Sequence, residues 1–448
     1  MKLYKILLSA LFLCAVAGTS LAQARRVEFK ETKLANGLRV ITVEDHSSPV
    51  VSLDVTYNVG SRDERKGRTG FAHLFEHMMF KGSENVGTGE HFYLVFNNGG
   101  NMNGTTNEDR TTYFEALPAN QLDLALFLEA DRMRSLVINK ANLENQINAV
   151  QEERRLGVDN QAYGKSGEVQ QELLYDNFAY KHTVIGSMED LSASTVEDVA
   201  AFFKIYYAPN NAVLTLVGDF NTADALKKIK ANFEKIPRQP DPPAVDMTEP
   251  SQTAERRANV DDTLARLPQV DIAFKAVPGN TADFYALQVL SAALQSGQSS
   301  RLYQTLVKDK QMVTTVGGFM DEKRGTGALY ISATLRQGSK PADVEAAIYS
   351  EIERIQKEGV ADWEVQKAKN TTKRNFINGL QSSLNRAINI SVWTVYYNDP
   401  NLINTRLDKV AAVTKEDVQR VANKYLMPTN RTVVVTMPKK AAAPAAGN

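Results

Sequence analysis

Cysteine is nearly absent: among 448 residues only Cys14 carries a thiol. It lies within the apolar N-terminal run, so a chain trimmed of that run has no disulfide framework and no thiol nucleophile. Leu13 precedes it, where a lipid-attachment cysteine wants a small residue. Net charge is missing too. The 52 Lys and Arg cancel the 52 Asp and Glu, which removes the field that would draw nucleic acid or an anionic membrane. After the first apolar run, no segment approaches the roughly 20 residues needed to span a bilayer. Histidine is scarce and uneven, with five in all and none beyond His182. Imidazole chemistry is therefore confined to the N-terminal half.

What is present starts with a leader. Lys2 and Lys5 precede an apolar stretch over residues 6–18, and small residues follow at Ser20-Leu21-Ala22 and Ala22-Gln23-Ala24. This is the pattern of a cleaved signal peptide over 1–24. It implies export to the periplasm or beyond the cell, with no stable membrane insertion after cleavage. The rest is too long for one ordinary core. The proline-rich stretch "IPRQPDPPAVDMTEP" can sustain neither a helix nor a central strand. It divides the chain into an N-terminal domain, 25–236, a linker, 237–253, and a C-terminal domain, 254–437. The tail, 438–448, is low-complexity and expected to be disordered.

The two halves resemble each other. Thr195, Asp198, Tyr206, Pro209 and Asn211 recur as Thr414, Asp417, Tyr425, Pro428 and Asn430, each pair 219 positions apart. "PVVSLDV" and "PQVDIAF" keep the same spacing. A constant offset points to internal duplication of a whole α/β domain. Within the first copy, "VVSLDVTYNVG" alternates: Val51, Leu53, Val55 and Tyr57 point one way, and Ser52, Asp54, Thr56 and Asn58 the other. That pattern predicts a half-buried strand. Strand is also expected for "RTTYFEAL", and helix over 70–80, 120–136, 141–157 and 196–206.

The helix "GFAHLFEHMMF" carries the chemistry. His73 and His77 are four residues apart and share one helix face. Two neutral imidazoles so placed can hold one zinc ion, and Glu76 beside them can serve as general base towards water. The order H-x-x-E-H is a known catalytic zinc arrangement. A buried amphipathic helix anchored by Leu74, Phe75, Met78 and Phe80 is the alternative. A third ligand is expected on the acidic helix "NLENQINAVQEERRLGV", where spacing alone leaves Glu144, Glu152 and Glu153 open. His46, His91 and His182 are expected outside the metal site.

"GFAHLFEHMMFKGS", "GGNMNGTTNEDRTTYFEALP" and "NAVQEERR", in this order, resemble the pitrilysin family (M16, the inverzincins). The similarity covers nearly the whole mature chain and is to the two-domain subgroup that includes mitochondrial processing peptidase β-subunits and bacterial proteins. It implies an α+β fold: two homologous α/β domains, each a mixed sheet flanked by helices, forming half of a clam-shell chamber. It implies one Zn2+ per chain held by His73, His77 and Glu153, which lies 76 residues after His77. Family members often carry a further glutamate two turns earlier, where this chain has Gln146. The "NGTT" segment, Asn103, Gly104, Thr105 and Thr106, looks like the family's substrate-binding edge strand, which pairs with peptide backbone. The family closes its chamber with a second unit that contributes an arginine and a tyrosine. That pair has no clear place here, and a homo- or heterodimer with another pitrilysin-like chain is implied.

In the second copy, His73, Glu76 and His77 fall on Ala292, Gln295 and Ser296, and Glu153 falls near Lys373. The C-terminal half cannot carry a second site of this kind and is expected to wall the chamber. Two functions follow from these residues: a zinc endopeptidase cutting peptides or unfolded segments, with Glu76 as base, or a non-catalytic peptide-binding or scaffolding subunit of the same fold.

Overall fold

The computed structural model describes residues 26–439. The expected signal peptide and residues 440–448 of the expected tail lie outside them. Two mixed sheets organise the chain. The first contains β1 (Lys30–Lys33), β2 (Arg39–Glu44), β3 (Val50–Tyr57), β4 (Asn101–Thr106), β5 (Thr111–Pro118) and β6 (Ala212–Gly218), in the order β1-β2-β6-β3-β5-β4. The second contains β7 (Arg256–Asp262), β8 (Gln269–Lys275), β9 (Val313–Met320), β10 (Ala328–Leu335) and β11 (Arg431–Pro438), in the order β7-β11-β8-β10-β9. Position for position, β2-β6-β3-β5-β4 and β7-β11-β8-β10-β9 are the same sheet. In each the first pair is parallel and the others antiparallel. The duplication read from the sequence is therefore a duplication of topology.

The residues that carry the repeat build the same joint twice. Thr195 and Thr414 cap their helices by accepting the backbone N–H of Asp198 and Asp417, which satisfies an otherwise orphaned donor. Asn211 and Asn430 each donate Nδ2 to a carbonyl five residues back, Tyr206 and Tyr425, at 2.8 and 2.7 Å. Each asparagine thus locks a helix-to-strand turn. The linker, 237–253, contains neither helix nor strand, and its Glu249 pairs with the buried Lys275 at 2.5 Å.

Alternation along β3 predicts one wet face, and the structure corrects this. Ser52, Asp54 and Thr56 are as buried as Val51, Leu53 and Val55. The cover comes from the other half of the chain. The helix Ser383–Tyr397 lies across β3 and β6, with Ser52 Oγ 2.9 Å from Ser383 Oγ and Ser391 Oγ donating to Thr215 Oγ1 at 2.7 Å. Ile41, Val43, Val213 and Val217 pack there against Ala387, Ile390 and Trp393. The exchange is mutual: the helix Gly164–Leu174 of the N-terminal half lies across β7, β8 and β11, where Ser166 meets Thr436. A polar strand face here marks an interface between halves. The expected disorder from residue 438 is also corrected at its start. Pro438 pairs with Asp262 in the sheet, and Lys439 N donates to Asp262 O at 2.9 Å.

Candidate active site

The H-x-x-E-H segment forms the helix Phe71–Met78. Its N-cap, Gly70, sits at φ +82° and offers no side chain to the exposed donors. Only glycine fits, since a Cβ there would stand 2.6 Å from Ile185 O. The missing cap is supplied from outside: Glu64 accepts Gly70 N at 3.0 Å and Ala72 N at 2.7 Å. Leu74, Phe75 and Met78 anchor the helix in the core as expected, with Phe75 4.1 Å from the Tyr207 ring. Burying three such side chains is worth about 1.5–3 kcal/mol each. Phe80 lies beyond the helix end, partly buried, against Phe92.

His73 and His77 present their rings 4.8 Å apart on the remaining face. The Glu153 carboxylate meets them from the helix Lys140–Arg154, 3.7 Å from His73 Nε2 and 3.3 Å from His77 Nε2. Of the three candidate acids, Glu153 is the one the structure brings to the histidines. Leu143, Gln146 and Val150 form the buried stripe of that helix, and Glu153 continues it at helical spacing. Glu152 lies on the far side beside Arg155, and Glu144 pairs with Lys140. Gln146 is buried and donates to Asn145. Glu144 and Glu152 fall off this buried stripe, whose 3-4-3 spacing is what separates Glu153 from them.

Burial, and then the neighbouring His77, pulls the His73 imidazole down to about 4, so it is neutral with a free lone pair near pH 7. Contact with His77 holds the Glu153 carboxyl below its usual range against partial burial. The 3.7 Å separation exceeds a hydrogen bond. Two imidazole Nε2 atoms and one carboxylate oxygen, all within 4.8 Å of one another, make a donor set suited to a divalent ion such as zinc.

Glu76 does not join the three. It is buried beneath β4, the terminal strand of the first sheet, and its Oε2 accepts the Thr106 hydroxyl at 2.6 Å. Burial raises the Glu76 carboxyl above its ordinary value, and the Thr106 hydrogen bond opposes that rise. Of the expected substrate-binding residues, Asn103 is exposed and accepts Gly104 N, while Gly104 faces Glu76, where a Cβ would stand 3.1 Å from Glu76 Cγ. The Thr105 carbonyl already receives Arg110 Nη1 at 2.6 Å. Thr106 belongs to the expected substrate-binding segment, but its hydrogen bond to Glu76 and the capping role of Glu64 are not legible from motif spacing, because both act across the fold.

The second copy repeats the scaffold without the histidines. Gln295 stands where Glu76 does, buried, donating to Ser291 Oγ and Tyr330 O at 2.9 Å. A Cβ on Gly318 of β9 would clash with it, as one on Gly104 would crowd Glu76. Ala292 is partly buried, Ser296 caps the helix end, and Lys373 is exposed. The other histidines have separate partners. His46 meets Asp219 at 2.6 Å, His182 meets Glu64 at 2.9 Å, and His91 faces Glu115 in the core at 3.7 Å.

Residues 39–184 match the peptidase family described as Insulinase (Peptidase family M16), and residues 193–372 match the one described as Peptidase M16 inactive domain. The zinc protease PqqE of Helicobacter pylori is 30% identical over 442 residues, covering 96% of this chain and 98% of that protein. A probable mitochondrial-processing peptidase subunit beta of Arabidopsis thaliana is 24% identical over 413 residues, covering 89% of this chain and 76% of that one. Among solved structures, a protease from Helicobacter pylori superposes with a TM-score of 0.88 at 30% identity, covering 92% of this chain and 100% of that one. The periplasmic protease PqqL of Escherichia coli shares the fold, with a TM-score of 0.75 at 18% identity, covering 93% of this chain and 49% of that one.

Proposed function

The chain belongs to peptidase family M16, and on that premise we propose that it is a zinc-dependent endopeptidase cleaving peptides or unfolded segments. The observation that carries this is the convergence of His73, His77 and Glu153, with Glu76 beside them but not among them. His73, His77 and Glu153 would hold one zinc ion. Bound zinc supplies Lewis-acid chemistry and lowers the pKa of water. Glu76 takes the proton of the attacking water and passes it to the leaving amine. Its Oε2 is fixed by Thr106, which orients the carboxylate. The open edge of β4 supports pairing with an extended peptide by main-chain hydrogen bonds, a mode tolerant of sequence.

A second pitrilysin-like unit, in a homo- or heterodimer, would complete the chamber. The likeness to one part of the longer PqqL supports a two-unit assembly. The leader pattern over residues 1–24 supports export. No helix of the described residues is long and apolar enough to cross a membrane.

The test is purified full chain assayed for bound metal and for cleavage of a peptide library, with Glu76→Gln as control. The expected result is one zinc per chain in both forms, and a fall in hydrolysis of about 10²–10⁴-fold in the variant. Zinc bound without turnover, with or without a partner chain, would instead identify a peptide-binding subunit.

A further inference from the structure

We propose that the second copy of the fold serves as a clamp on the β4–β5 hairpin, making Lys323, Arg324 and Tyr396 positioning residues for Glu76. This rests on the reading of Glu76 as the base.

The hairpin between β4 and β5 begins immediately after Thr106, the residue that holds Glu76 at 2.6 Å. Three successive hairpin residues each have a partner from the C-terminal half. Asn107 Nδ2 donates to Tyr396 Oη at 2.9 Å, Lys323 Nζ donates to Glu108 Oε1 at 2.6 Å, and Arg324 N donates to Asp109 Oδ2 at 2.8 Å. Lys323 is only 4% exposed. A cation buried that far must be paired, and its two acids, Glu108 and Asp321, come one from each half. Asp109 is further tied by Arg62 Nη1 and the Tyr180 hydroxyl, both at 2.8 Å, and the same hydroxyl accepts Gly325 N at 2.9 Å.

Lys323, Arg324 and Gly325 belong to the hairpin joining β9 and β10, which is the topological counterpart of the one joining β4 and β5. The two equivalent hairpins therefore meet across the pseudo-symmetric interface. The copy that lacks histidines grips the copy that has them. Tyr396 arrives on the exchanged helix Ser383–Tyr397. A shift of about 1 Å at a positioned group costs as much as 10²-fold in rate, so a hairpin held on three consecutive residues bears directly on the Thr106–Glu76 contact.

The test uses full-length chains carrying Tyr396→Phe, Lys323→Met or the conservative Lys323→Arg. Amide hydrogen exchange over residues 104–110 is read beside zinc content, kcat and KM. In Tyr396→Phe and Lys323→Met, exchange in the hairpin is expected to rise about tenfold with the rest of the first sheet unchanged. In the same two variants kcat should fall about tenfold while KM stays within about twofold and zinc remains bound. Lys323→Arg should restore both readouts. Hairpin exchange that stays at the wild-type rate in Tyr396→Phe overturns the clamp, as does acceleration spread evenly over the chain. Faster hairpin exchange with unchanged kcat overturns the positioning role. A wild-type chain that holds zinc and cleaves nothing overturns the peptidase reading alone, because exchange needs no turnover and still decides the clamp.

Discussion

His182 Nε2 stands 2.9 Å from Glu64 Oε2, joining two residues 118 positions apart. The same carboxylate accepts two donors of the helix bearing His73 and His77, where the helix dipole favours negative charge. Removing Glu64 strands His182 and those donors in a buried setting. Glu64→Ala is therefore expected to destabilise the fold by about 3 kcal/mol or more and to weaken zinc binding. Urea denaturation and zinc titration of the variant check this. Unchanged zinc affinity would show that the cap does not steady the histidines.

Thr106→Val keeps the shape of the side chain and removes its hydrogen bond to Glu76. That bond favours the ionised carboxylate, so its loss lets burial raise the Glu76 carboxyl further. The base must be ionised to work. The acid limb of the kcat/KM profile should therefore move to higher pH in the variant. A limb that does not move would assign it to another group.

The polar face of β3 predicts a pH dependence of stability. Burial pushes the Asp54 carboxyl up to about 6, against opposing hydrogen bonds from the Thr112 and Thr56 hydroxyls. The folded value lies above the unfolded one, about 3.9, so the folded state binds the proton more tightly. The resulting stability is complete below about pH 4 and is lost as pH rises through about 6, a change of about 3 kcal/mol by neutrality. Asp54→Asn should flatten the unfolding free energy between those limits, as measured by urea denaturation at a series of pH values.

The parts of the fold that could be read in advance share one property: their geometry is local. His73, Glu76 and His77 lie within one helical turn of each other, and Thr195, Asp198, Tyr206 and Asn211 repeat because each closes a joint inside a short segment. Motif spacing leaves Glu153 among three acids; the buried face of Leu143, Gln146 and Val150 singles it out only once the fold covers that face, because Gln146 is polar. What escaped is non-local. Glu64 reads as one more charge in "SRDERKG", because its partners are backbone donors and a distant histidine. Ser52, Asp54 and Thr56 read as solvent-facing, because alternation reports polarity and is silent on what covers a polar face. Pro438 reads as the start of a tail, because its strand partner lies in β7.

The exchanged helices Gly164–Leu174 and Ser383–Tyr397 have a consequence for how such a chain can be divided. A break anywhere in residues 237–253 would separate each sheet from the helix that roofs it. Neither fragment would be a self-sufficient unit, and each would carry the missing piece of the other. A gene split at that point would encode two products obliged to reassemble, so the seam in the sequence is not a seam in the folded protein.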